Sequence, residues 1–149
     1  MLFIGADHRG FALKEGLKKY LLEQNIPFTD LGSSKFEKDD DYPTIAASVA
    51  QQVGVTKKNC GLLICGSGVG VSIVANKFKN IRAGLVWTAA VAQAAKADDN
   101  INIICLPADY LTLSEAQQVV AIWLKTSFKN EAKYKRRLGQ IERIEKNLN

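Results

Sequence analysis

Histidine is nearly missing from this sequence: His8 is the only one in 149 residues. Any imidazole chemistry therefore comes from His8 or from the His8 of a partner chain. Cysteine is sparse and odd in number, three without framework spacing, which argues against a disulfide scaffold and fits a reducing cytosol. No apolar run approaches membrane-span length, and the one in MLFIGADHRG is too short for a signal peptide. Repeats, low-complexity tracts and linker-like stretches are lacking too, so residues 1–149 read as one domain, long enough to bury a core without staples. Two nucleotide signatures are absent. Without G-x-G-x-x-G after the first strand a nicotinamide site is unsupported, and without G-x-x-x-x-G-K-[ST] so is triphosphate hydrolysis. A phospho-receiver would favour an aspartate at the end of the third strand, where this chain has Cys65.

What is present is an ordinary soluble composition, 47% hydrophobic and 23% charged, with a net charge of +5. That charge permits an anionic ligand, a phosphate or a nucleic acid without choosing among them. Apolar runs alternate with helical patterns. Leu2–Ala6 predicts a strand, and Phe11, Leu13, Leu17, Leu21 and Leu22 line one face of the helix after it. Asn25 and Pro27 end that helix, and 27–31 predicts a second strand. After the polar loop GSSKFEKDDDY, Pro43 opens a helix running through Ile45 to Val53. Cys60–Cys65 predicts a third strand with a helix over Val71–Phe78, and Ala83–Val86 a fourth strand followed by the helix TAAVAQAAKA. Ile101–Leu106 predicts the fifth strand, and Ser114–Lys125 and the charged Glu131–Leu148 the closing helices. This is the α/β pattern of a doubly wound, five-stranded parallel sheet with helices on both faces and an expected strand order 2-1-3-4-5.

In that order the connections after strands one and three leave toward opposite faces and open a ligand crevice at their carboxyl ends. The residues expected there are Asp7 and His8, then Cys65-Gly66-Ser67-Gly68-Val69-Gly70. Alternating glycines let backbone N–H groups turn inward as an anion cradle, and a following helix adds its positive end. A thiol in that field is expected to have a lowered pKa. The alternative is that Cys65 only fills the strand end, as Cys60 and Cys105 are expected to do. The Asp7-His8 pair reads equally as a turn, and the acidic run Glu37–Asp41 as a solvated loop. Lys133, Lys135, Arg136, Arg137, Arg143 and Lys146 make the last helix basic. They form a solvated face, a phosphate clamp or a nucleic-acid footprint, the last being weakest without aromatic stacking residues.

Taken together, GADHRGFALK, DYP (Asp41–Pro43), ICGSGVGVSIVANK, IRAGL and KYKRRLGQI resemble, in order and spacing, the type B ribose-5-phosphate isomerases and galactose-6-phosphate isomerase subunits. The resemblance covers nearly the whole chain. It implies aldose–ketose isomerisation of a sugar phosphate through an enediolate, with no metal or organic cofactor, in a cytoplasmic homodimer that shares its active sites and binds neither nucleic acid nor membrane. By the same resemblance Cys65 is the base, Ser67 bonds the migrating hydroxyl, and the amides from Gly66 through Val69 to Gly70 hold the oxyanion. Asp7 and His8 hold sugar hydroxyls and phosphate with Tyr42 nearby, Asp99 is among the substrate-binding residues, and Lys133 and Arg137 bind phosphate. Three departures stand out. Asp98-Asp99 replaces a ring-opening histidine and its neighbour, so Asp98 inherits that role. Ala108-Asp109 replaces a Gly-Arg pair, adding a negative charge near the phosphate, and Tyr134 replaces a histidine. A hexose 6-phosphate as substrate, or a sugar-phosphate-binding protein without catalysis, are the readings that compete.

Overall fold

The computed structural model describes residues 1–148, and the elements follow the expected alternation. In chain order they are β1 (Leu2–Ala6), α1 (Phe11–Glu23), β2 (Phe28–Asp30), α2 (Tyr42–Gly54), β3 (Cys60–Cys65) and α3 (Val69–Ala75). Then come β4 (Ala83–Leu85), α4 (Ala89–Asp99), β5 (Ile103–Pro107), a 3-10 turn (Ala108–Tyr110), α5 (Leu113–Lys125) and α6 (Ala132–Leu148). All strand pairs are parallel, but the order is β2-β1-β3-β5-β4, not 2-1-3-4-5. Burial explains the exchange. β5 is buried at every position and needs neighbours on both sides, whereas the three-residue β4 (Ala-Gly-Leu) is only half buried and suits an edge.

Two apolar clusters sit on opposite faces of the sheet. One joins Ile4, Leu62, Ile64, Ile104 and Leu106 to Leu17 and Leu21 of α1 and Val120 and Trp123 of α5. The other joins Leu63, Cys65, Ile103 and Cys105 to Val49 and Val53 of α2 and Val71 and Ala75 of α3. Leu62 and Leu63 thus point to opposite layers, the period-2 alternation of a strand covered twice. Because α1 lies in one layer and α3 in the other, the chain parts between neighbouring strands β1 and β3. The crevice opens there, at their carboxyl ends.

Helix boundaries carry the fine positioning. α3 starts at Val69, two residues before its expected start, with Gly68 as its N-cap at φ 71°. α4 is closed by Asn100 in the left-handed conformation (φ 47°), directly after Asp98 and Asp99. Lys14 of α1 is fully buried and bonds Asp30 Oδ2 and the Ser33 carbonyl, both at 2.8 Å. It anchors β2 and the start of the 31–41 loop to α1. No helix among the described residues is long and apolar enough to cross a membrane.

Candidate active site

At the crevice the Cys65 thiol donates to Asp7 Oδ2 at 2.9 Å, while the Gly10 amide donates to Asp7 Oδ1 at 3.0 Å. The loop amide therefore fixes the carboxylate, and the carboxylate fixes the thiol. Burial, together with Asp7 accepting its hydrogen and repelling the thiolate, pushes the thiol up to about 11. The Gly66 and Gly68 amides pull the other way with less effect. The expected lowering of this pKa is therefore wrong for the resting molecule. An anion-binding loop alone favours a thiolate, but here burial and the Asp7 carboxylate outweigh it. Cys105 is fully buried and also pushed up by burial, and Cys60 is pushed up more modestly. All three cysteines are free.

The other expected residues of this edge gather around the thiol. Ser67 is exposed, and its Oγ accepts from the Val69 amide at 3.3 Å. The Tyr42 ring, at the start of α2, lies against Gly70. His8 receives more support than a turn requires. Its backbone N–H donates to Asp40 Oδ1 at 2.9 Å, and its Nδ1 lies 2.7 Å from the same oxygen. An ionised carboxylate only accepts, so Nδ1 carries the hydrogen of this contact. Asp40 belongs to the acidic run read as solvated, so that reading fails at one position. Phe36, from the same loop, meets the His8 ring edge-on. The sequence gives no sign that Arg9 and Asp109 meet, yet Arg9 Nη2 pairs with Asp109 Oδ2, and the guanidinium lies over Gly66. Only a glycine leaves room for it. Asp109 is thus paired, not a bare charge facing the crevice.

The remaining expected residues form a second cluster at the opposite edge. Asp98, next to last in α4, pairs with Lys129 Nζ at 2.8 Å. The hydrogen bond from Lys129 holds its carboxyl below the ordinary carboxylate value. Asp99 is exposed beside it. Tyr134 is buried, with Lys133 Nζ 4.6 Å, Lys129 Nζ 5.2 Å and Arg137 Cζ 5.9 Å from its ring centroid. Lys129 could not be found from sequence, because its tie to Asp98 depends on how α5 returns to α4. The two clusters do not meet within one chain. α4 ends before the start of β5, whereas Cys65 pairs with Pro107 at its end, about 13 Å away along the strand. Among the described residues no group of three or more His, Cys, Asp or Glu is placed to hold a metal ion.

Comparison with known proteins matches this arrangement to one family. The model of the ribose/galactose isomerase family covers residues 2–141. A probable ribose-5-phosphate isomerase B of Mycoplasma genitalium is 39% identical over 146 residues, 97% of this chain and 95% of the relative. The ribose-5-phosphate isomerase B of Escherichia coli is 34% identical over 145 residues, 97% and 96% of the two chains. The crystal structure of the Mycoplasma genitalium enzyme with bound ribulose 5-phosphate superposes with a TM-score of 0.93 at 38% identity, over 97% of this chain and 95% of that one. The chain belongs to the ribose/galactose isomerase family.

Proposed function

We propose that this protein interconverts ribose 5-phosphate and ribulose 5-phosphate through an enediolate, with Cys65 as the base. The observation that carries the assignment is the meeting of the Cys65 thiol, the Asp7 carboxylate and the Gly66 and Gly68 amides at one point of the crevice. On substrate binding Asp7 takes the thiol proton across its 2.9 Å contact. The thiolate then removes the proton from C2 of the open-chain aldose, and the electron pair forms the enediolate with negative charge on O1. Amides of the glycine loop stabilise that oxygen; preorganised donors of this kind are typically worth about 3–4 kcal/mol of barrier. A proton shift between the two oxygens, assisted by Ser67, and return of the carbon proton to C1 complete the ketose. Proton transfer by such a base contributes roughly 10²–10⁴ in rate.

Tyr42 and His8 hold sugar hydroxyls, His8 through Nε2, the ring nitrogen that does not face Asp40. Ring opening falls to Asp98, with Asp99 beside the sugar and Lys133 and Arg137 on the phosphate. Since these four lie at the opposite sheet edge from Cys65, the reading requires a homodimer in which one chain's Asp98 cluster completes the other's Cys65 crevice. Three free cysteines suit the cytoplasm.

The experiment is turnover of ribose 5-phosphate beside a panel of hexose 6-phosphates. Cys65→Ala should abolish isomerisation while sugar-phosphate binding survives, and Cys60→Ala and Cys105→Ala should remain active. An active Cys65→Ala enzyme would remove the assigned base. Preferred turnover of a hexose phosphate would replace the assigned substrate.

A further inference from the structure

Most of the charged side chains around the thiol are already engaged, since Asp7 holds the thiol and Asp40 holds His8. Arg9 and Asp109 stand apart from both. Arg9 follows His8, but its side chain folds back over the end of β3, where Nε, Cζ and Nη1 lie against Gly66. Nη2 pairs with Asp109, whose own amide donates to the Gly66 carbonyl at 3.0 Å. The loop after β1, the end of β3 and the turn after β5 are thus tied together next to Cys65.

An exposed ion pair adds little stability, so stability alone does not account for a guanidinium held over the residue that follows the thiol. Exposure instead places the pair at the mouth of the crevice: the Arg9 side chain is 56% accessible and that of Asp109 35%, against 8% for Cys65. A sugar phosphate whose reacting carbons lie at the buried thiol directs its phosphate toward that mouth. Asp109 occupies Nη2, which leaves Nε–H and the Nη1 hydrogens to donate.

We propose that Arg9 is a phosphate-binding residue of this site and that Asp109 is the positioning residue holding its guanidinium over Gly66, an assignment that rests on the isomerase reading above. Arg9 grips the phosphate from the crevice side, opposite the second chain's Lys133 and Arg137. Asp109 acts only through Arg9.

The test compares wild type, Arg9→Gln, Asp109→Asn and the double variant. It follows KM and kcat for ribose 5-phosphate, Ki for inorganic phosphate as a competitive inhibitor, and Tm as a folding control. Arg9→Gln should raise KM and the phosphate Ki together, about ten- to a hundredfold for loss of a charge-assisted contact, with kcat falling far less. Asp109→Asn should raise both by a smaller factor and add nothing in the double variant. Arg9→Lys should recover only part of the loss, because the fork is gone. The assignment is overturned if Arg9→Gln leaves KM and Ki within twofold, or if KM moves without Ki. It is overturned for Asp109 if the two single effects add. Should the wild type prove inactive on ribose 5-phosphate, the isomerase reading falls. Calorimetry with inorganic phosphate then still decides Arg9, weaker binding to Arg9→Gln supporting the anion contact and equal binding rejecting it.

Discussion

Cys65 shows how burial, joined by one contact, can reverse what a residue's neighbourhood suggests. Glycines and a helix start are visible in the sequence and favour a thiolate, but Asp7 arrives from another strand, and its carboxylate holds the sulfur's hydrogen. With the folded pKa raised from the ordinary 9.0 to about 11, the sign of the linkage follows. Below 9.0 folded and unfolded chains both keep the proton, and the stabilisation is complete. Between 9.0 and about 11 the unfolded chain releases it first, so stability falls as pH rises. Chemical denaturation across that window should show a shallower fall for Cys65→Ala than for wild type. Identical slopes would mean that the thiol keeps no proton in the folded state that it loses in the unfolded one. Asp98 poses the converse case, since Lys129 favours its ionised form and so a proton-accepting role. Asp98→Asn should slow turnover of ring-forming ribose 5-phosphate while sparing an accepted short-chain aldose phosphate that cannot cyclise. Equal loss on both substrates would reduce Asp98 to an orienting residue.

Among the elements, the loop between β3 and α3 is where backbone conformation and chemistry coincide. Gly68 adopts φ 71°, and a Cβ there would stand 2.6 Å from a Leu85 methyl and 3.1 Å from the Leu106 backbone. Gly68→Ala should cost roughly 1–2 kcal/mol for the left-handed conformation alone, with the collision added. That corresponds to a fall in Tm of several degrees for a chain of this size. Gly139 in α6 has open space around it, so Gly139→Ala should instead gain about 0.5–1 kcal/mol. Thermal melts of the two variants shifting in the same direction would contradict this contrast. Most element spans were legible because apolar runs and turn residues alternate so regularly. The edge exchange of β4 and β5 was not, since the alternation of strands and helices says nothing about which strand β3 selects. The half-apolar Ala-Gly-Leu segment was the clue available, as a three-residue strand with little to bury belongs outside a fully apolar one. Asp40, Arg9 and Lys129 were missed for a related reason. Charged residues in loops look solvated until the fold brings a partner from 32, 100 or 31 positions away.

For the whole molecule, the two halves of the proposed site lie at opposite edges of one sheet, so no single chain can complete it. The proposed twofold dimer would set the Cys65 edge of each subunit against the Asp98 and Arg137 edge of the other. Complementation follows from that geometry. Cys65→Ala removes the base from one edge, and Arg137→Ala weakens phosphate binding at the other, so each homodimer should be poorly active at low substrate. If the subunits are mixed and allowed to exchange, a hybrid dimer has one site carrying both defects and one carrying neither. Random exchange makes half of all dimers hybrids, each with one intact site in two, so activity should recover to about a quarter of wild type. The recovery should develop at the rate of subunit exchange and be absent when the variants are kept apart. Were each site built within a single chain, every site in the mixture would keep one defect, and mixing would restore nothing.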